Sequence, residues 1–399
     1  MTRARPLAIV VFSAACVLLI GMGLRQAFGL FLPRMTVDLG MSREMFGFGV
    51  ALQNILWGIG ALPAGVLADL YGSARVAATC ALLYVGGLVL MALADGPALY
   101  IGGSILLGIG LGGVSFSVVM SAVGKAAPPE SRVTMLAWVG FGGAIGQFLA
   151  IPLTHALIAG LDWRLAMAVC AALSAIMLPL TAGIAGVRGD NADGAQPSQT
   201  LREALREAFS TPSYVLLTIG FFVCGFQLAS ITTHLPAYLV DLRLPASLGA
   251  VALMIIGLAN IAGNFAAGWL AGRFEKRAIL AALYAIRGVS MVAFLLMPPS
   301  AFSVSVFALG MGVTWLATVP LTGGLVATFF GPAFMSTLYG IVFFSHQLGG
   351  FFGAWLAGAL YDRTGSYSLV WWSSAALAFI AAAMHWAIVE RPAARPAHA

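Results

Sequence analysis

Leu32-Pro33-Arg34-Met35-Thr36-Val37-Asp38-Leu39 returns 203 residues later as Leu235-Pro236-Ala237-Tyr238-Leu239-Val240-Asp241-Leu242. An L-P-x(3)-V-D-L match at one fixed offset is not a chance event, and the same offset keeps pairing residues along the chain. Gly60 meets Gly263, Gly65 meets Gly268 and Leu67-Ala68 meets Leu270-Ala271. Further on, Thr134 meets Thr337, Gly146 meets Gly349 and Leu157 meets Leu360. The chain is a parallel duplication.

Around this motif each copy holds six apolar runs. They fall at 8–32, 45–68, 76–94, 98–121, 134–157 and 164–185, then at 213–238, 247–271, 278–297, 301–327, 336–360 and 368–389. A bilayer core about 30 Å thick takes roughly 20 helical residues to cross. The composition agrees: of 399 residues 61% are hydrophobic and 9% charged, against about 25% charged in soluble domains. A cytosolic enzyme, a nucleic-acid module and a disordered scaffold are excluded. The expected fold is an all-α integral membrane protein of twelve transmembrane helices in two pseudo-symmetric six-helix bundles, 1–185 and 213–399, joined by a linker, 186–212. The first run is too long for a signal peptide and lacks a small-residue cleavage pattern, so it is taken as the first span.

Charge placement sets the expected orientation. Thirteen Lys/Arg fall at one set of ends (Arg3, Arg5, Arg75, Lys125, Arg132, Arg188, Arg202, Arg206, Arg273, Lys276, Arg277, Arg391 and Arg395). Five fall at the other (Arg34, Arg43, Arg164, Arg243 and Arg363). Both termini are therefore expected in the cytoplasm of a bacterial-type inner membrane. In the linker, Thr200 and Glu203 form a capping-box pattern. Leu201, Leu205 and Phe209 then share a stripe, as in a helix lying on the membrane face or in a solvated connector. Cys16, Cys80, Cys170 and Cys224 have no metal-ligand or paired spacing and read as buried free thiols. Gly108-Ile-Gly110-Leu-Gly112-Gly113 spells a dinucleotide fingerprint, but inside an apolar span, where it reads as close helix packing. With no phosphate loop, zinc cluster or hydrolase elbow, no cofactor, metal or enzymatic activity is expected.

A parallel repeat of six spans is the plan of alternating-access carriers, with substrate bound near the midplane. At the end of the second span, Gly65-Val-Leu-Ala-Asp69-Leu-Tyr-Gly72-Ser-Ala-Arg75 resembles the gating motif of the major facilitator superfamily, and the resemblance extends over essentially the whole chain. It implies the major facilitator fold, secondary transport of a small molecule and a monomer. Asp69 is expected to pair or cap at a helix junction, with Arg75 as its partner. The tenth and eleventh spans look most like bacterial relatives of monocarboxylate carriers. The residues are Gly310-Met-Gly312, Trp315-Leu-Ala-Thr318-Val-Pro320, His346-Gln347-Leu-Gly349, Gly353-Ala-Trp355 and Tyr361-Asp362-Arg-Thr-Gly365-Ser-Tyr367. Where animal carriers of that family place an Asp and an Arg four residues apart in the eighth span, this chain has Asn260 and Asn264.

Ionisable residues at membrane depth are the informative ones, because each costs at least about 2.5–3.5 kcal/mol there. Arg25 in the first span has no acid at comparable depth, so a visiting anion is the expected counter-charge. Bonding to broken-helix carbonyls and snorkelling are the competing fates. Arg287 is expected to pack on polar atoms of the eighth span, Asn260 or Asn264, or to face substrate. His346 can bind substrate and exchange protons near neutral pH, or sit as a satisfied core histidine, as can His234. The amides Gln53, Asn54, Gln147, Gln227, Asn260, Asn264 and Gln347 either line a polar cavity or bond neighbouring helices at roughly 0.6 kcal/mol each. The favoured reading is a carrier of a small organic anion, a monocarboxylate, with proton symport through His346 and anion exchange both left open. Organic-anion exchange of the oxalate or formate kind and transport of neutral aromatic or amphipathic compounds remain alternatives.

Overall fold

A computed structural model describes residues 6–128, 130–185, 200–331 and 335–392. Arg3, Arg5, Arg188, Arg395 and linker positions 186–199 lie outside the described residues. Among the described residues the secondary structure is entirely helical.

Eleven helices are long and apolar enough to cross a membrane: Leu7–Asp38, Arg43–Tyr71, Ser73–Ala92, Pro97–Ala126, Thr134–Gly160, Trp163–Ile184, Pro212–Asp241, Ala246–Ala271, Lys276–Leu296, Ala301–Phe330 and Ser368–Trp386. The remaining expected span is the 30-residue helix Met335–Thr364. Its central Ser345-His346-Gln347 keeps it less apolar than the other eleven. These helices are numbered first to twelfth below. The helices run a few residues past the apolar stretches because polar caps begin them. Ser42 accepts from the Met45 amide at 3.1 Å and Asp162 from the Leu165 amide at 2.8 Å, each satisfying a donor that the first helical turn leaves free.

Two hydrophobic cores form, one built mostly from the first six helices and one mostly from the last six. The repeat shows in detail. Gly40 and Arg243, 203 residues apart, both sit in the left-handed region, at φ 59° and 61°. The turns close with matched bonds, Met41 N to Thr36 O at 3.0 Å and Leu244 N to Leu239 O at 3.0 Å. Glycine adopts that conformation freely, whereas a side chain there costs roughly 1–2 kcal/mol. The second copy therefore keeps the turn despite having lost the residue that suits it.

Glycine also sets the closest crossings. Gly146 lies on the Leu19 backbone and Gly349 on that of Phe222, again 203 residues apart, and neither has room for a Cβ. Gly108, Gly110, Gly112 and Gly113 likewise pack against the second and third helices, which answers the dinucleotide-like run with helix packing. The four cysteines are free thiols, but Cys16 is half-buried, not buried as expected. The linker helix Leu201–Ser210 has the Thr200/Glu203 capping box. It buries Ala204 and Ala208 and leaves Leu201 and Phe209 exposed.

Candidate substrate site and gates

Four of the polar residues singled out by sequence come together at the boundary between the two halves. Arg25 on the first helix donates from Nη2 to Asn54 Oδ1 on the second at 2.6 Å. The Asn54 backbone carbonyl accepts from Gln347 Nε2 on the eleventh helix at 3.3 Å. Gln347 Oε1 is then turned to His346 Nδ1, 2.9 Å away. Because Gln347 spends its amide hydrogens on Asn54, its oxygen must accept. The proton of the neutral imidazole is thereby placed on Nδ1, and Nε2 is left as the basic nitrogen. Glycines let these elements approach: Gly58 faces the Gln347 stem and Gly350 faces the Asn54 amide.

A guanidinium carries five N–H donors. Among the described residues, the bond to Asn54 is the hydrogen bond that Arg25 makes. Its other support is the Trp57 ring, 4.8 Å from the guanidinium carbon. No carboxylate pairs with it: the ion pairs among the described residues are Arg43–Asp241, Lys125–Asp69, Lys276–Glu390 and Arg277–Glu275. The site is a half-buried cation with donors to spare.

The other candidates separate from this cluster. Arg287 is fully buried, and its partners lie on the tenth and seventh helices, not on the eighth as expected. The tenth helix breaks between Ala301–Thr314 and Thr318–Phe330, freeing carbonyls that need donors. Arg287 Nη2 donates to Thr314 O at 2.5 Å and to Trp315 O at 2.7 Å, and Nη1 reaches Gln227 Oε1 at 3.4 Å. Asn260 Oδ1 accepts from the Leu316 amide in the same break at 3.0 Å, and Asn264 Nδ2 donates to Asn260 at 2.8 Å. The fourth helix breaks at the equivalent place, between Pro97–Val114 and Phe116–Ala126, and there Trp57 Nε1 donates to Ser115 Oγ at 2.8 Å. Trp57 and Asn260 are repeat mates, as are Ser115 and Thr318.

Asn260→Ala is expected to leave the part-buried Leu316 amide unpaired, costing about 1 kcal/mol. A lowered apparent melting temperature in detergent, with a smaller drop for Asn264→Ala, would show it; equal and negligible drops would remove the clamp from the account. Gln53 points to Ser104 Oγ at 3.5 Å, and Gln147 lies against Gly257 of the eighth helix with its Oε1 buried and unbonded.

His234 belongs to a separate cluster at one end of the molecule. Its Nε2 meets Ala354 O at 2.7 Å and its Nδ1 meets Tyr367 Oη at 3.0 Å. Beside it, Arg43 forks onto Asp241, Nη1 to Oδ2 at 2.5 Å and Nη2 to Oδ1 at 2.8 Å. The guanidinium also stacks on Tyr361 at 3.9 Å. Asp362 accepts the Arg43 and Glu44 amides at 3.2 and 2.6 Å, so a carboxylate of one half caps the second helix of the other. Glu44 in turn accepts from Trp355 Nε1 at 3.0 Å. The two halves are latched here. Along the second helix, close approaches to the other half run from Arg43 to Leu62, and a Cβ at Gly65 would meet nothing from another helix within 4 Å. Sequence reasoning missed this latch, although Asp241 stands in the opening motif.

At the far end of that helix Asp69 pairs with Lys125 of the fourth, not with Arg75 as expected. Gly72, at φ 93°, turns the chain so that Ser73–Ala92 starts at once and carries Arg75 in its first turn.

Comparison with known proteins now settles the family. Residues 11–354 match the Major Facilitator Superfamily. The chain belongs to that superfamily. It is a multi-pass membrane transporter for a small molecule. A probable 4-methylmuconolactone transporter of Cupriavidus pinatubonensis is 22% identical over 82% of this chain and 77% of its own length. Monocarboxylate transporter 13 of Rattus norvegicus is 27% identical over 57% and 53%. Across the first three relatives the matched share of their length runs from 39% to 77%. Among solved structures, a bacterial homologue of the human lysosomal transporter Spinster, inward-facing and unoccupied, superposes with a TM-score of 0.79 at 14% identity, covering 96% of this chain and 97% of that one. This likeness concerns the fold.

Proposed function

We propose that the protein carries a small organic anion, a monocarboxylate, across a bacterial inner membrane by alternating access, with Arg25 as the carboxylate ligand. The observation behind this is the guanidinium at the boundary between halves, with one hydrogen bond and no acid beside it. The names of the two relatives support it, since one is called a monocarboxylate transporter and the other a transporter of a lactone.

With the latched end taken as outside and the Asp69 end as cytoplasmic, a reading the Lys/Arg distribution supports, the arrangement is inward-facing. The pair Asp69–Lys125, with Gly65 and Gly72, then belongs to the gate that closes in the opposite state. Gly65 and its repeat mate Gly268 each have open space around them, as positions awaiting a partner would.

Proton coupling through His346 is part of this reading, supported by the hydrogen bonds that link it through Gln347 and Asn54 to Arg25. In such coupling, proton and anion each favour binding of the other. Proteoliposomes enclosing a pH-sensitive dye test this. Lactate, pyruvate, short fatty acids or benzoate added outside should acidify the lumen above protein-free vesicles. Exchange of preloaded for labelled anion without acidification would leave the carrier and remove the coupling. Entry of neutral compounds alone would sink the anion reading.

A further inference from the structure

The walls beside Arg25 are made of rings. Trp57, under the guanidinium, meets Phe343 of the eleventh helix edge-on, at 5.4 Å between centroids and 77°. Phe343 and His346, one helical turn apart, are parallel to within 3° at 6.0 Å. Phe221 of the seventh helix completes the series, 4.9 Å from the imidazole. Rings thus run without interruption from the cation to the histidine, across the boundary between halves. Phe343 makes its contact with Trp57 across that boundary and is only half-buried, so part of its ring stays uncovered there.

An aliphatic wall would suffice for a short saturated acid. Aromatic rings next to a cation add a preference, because ring faces attract the edges and offset faces of other rings. We infer that the substrate is a carboxylate bearing a flat aromatic or conjugated body, with its carboxylate at Arg25 and its plane against the half-buried Phe343, which the buried Trp57 backs. This rests on the anion reading above and narrows it.

Benzoate and cyclohexanecarboxylate are probes matched in charge and size. The saturated ring is at least as apolar, so a merely greasy pocket would bind it as well or better. Competition against labelled benzoate with the purified full-length protein should show benzoate at least about tenfold tighter. Phe343→Leu and Trp57→Leu should shrink that ratio below about threefold while benzoate binding stays sensitive to Arg25→Gln. Phe343→Tyr, which keeps the ring, should retain the ratio and covers the case in which Trp57→Leu, having lost its bond to Ser115, fails to fold. Equal affinities in the wild type, or binding of lactate but not benzoate, would overturn this inference and leave the anion reading standing. Benzoate binding indifferent to Arg25→Gln would overturn the anion reading as well.

Discussion

Arg25→Gln should lower carboxylate affinity by about 100-fold or more and raise, not lower, the thermal stability of the empty protein. The first effect follows from losing charge-assisted hydrogen bonds to an anion in a partly dehydrated site, worth about 3 kcal/mol. The second follows from removing a cation that is held half-buried without a counter-ion. The new amide ends two bonds short of Nη2 and gives up the 2.6 Å contact to Asn54 Oδ1, a loss of about 0.5–1.5 kcal/mol that offsets part of this gain. Were Arg25 merely joining the first and second helices, the substitution would lower stability and leave affinity alone. Binding isotherms and melting curves on the same preparation separate the two. Arg25→Lys keeps the charge but loses the planar fork, and should fall between wild type and Arg25→Gln.

Removing the latch should shift the resting conformation by a comparable free energy. Arg43 contributes a forked pair with Asp241, while Asp362 accepts two backbone amides at the start of the second helix. The pair is only part-exposed, 19% and 28% by side chain, so it exceeds the 0–1 kcal/mol of a surface bridge. Arg43→Ala combined with Asp362→Ala should therefore cost the latched state about 3 kcal/mol, a population change of roughly 100-fold. Val37 and Val240, repeat mates near this end and both exposed, are suitable positions for spin labels. Pulsed dipolar measurements should give a short distance in the wild type and a longer one dominating the double variant. High salt should weaken the Arg43 part more than the Asp362 part, which is a hydrogen bond to backbone. A distance distribution unmoved by the double substitution would mean that the rest of the interface holds the halves unaided.

The sequence disclosed the architecture because apolar runs and a fixed offset survive without any knowledge of contacts. Arg25, Asn54, Gln347 and His346 were legible because polar groups at membrane depth are few, and those few tend to be brought together. Legibility failed where a residue type is ordinary for its position. Arg43, Asp241 and Asp362 sit at helix ends, where charges are unremarkable and only topology tells which pairs meet across the two halves. Arg75 looked like the partner of Asp69 by nearness in sequence, whereas space favoured Lys125. Arg287 was assigned to the wrong neighbour because the break at Thr314–Thr318 lacks a glycine, and its one local sign, Pro320, lies beyond it. Once the break is known, the freed carbonyls dictate where a buried guanidinium must go.

The paired breaks also bear on how the halves move. The fourth and tenth helices are each two rods, of 18 and 11 residues and of 14 and 13. Trp57 and Asn260 brace the joints from the neighbouring second and eighth helices. A rod that is already cut can tilt at its joint without rupturing a continuous ladder of backbone bonds. Each bundle thus behaves as a frame with a hinged leaf, and Lys125 sits on one such leaf, tied to Asp69. In the proposed transport cycle one end would open by swinging a leaf, with Arg25 and Asn54 kept together within the first bundle.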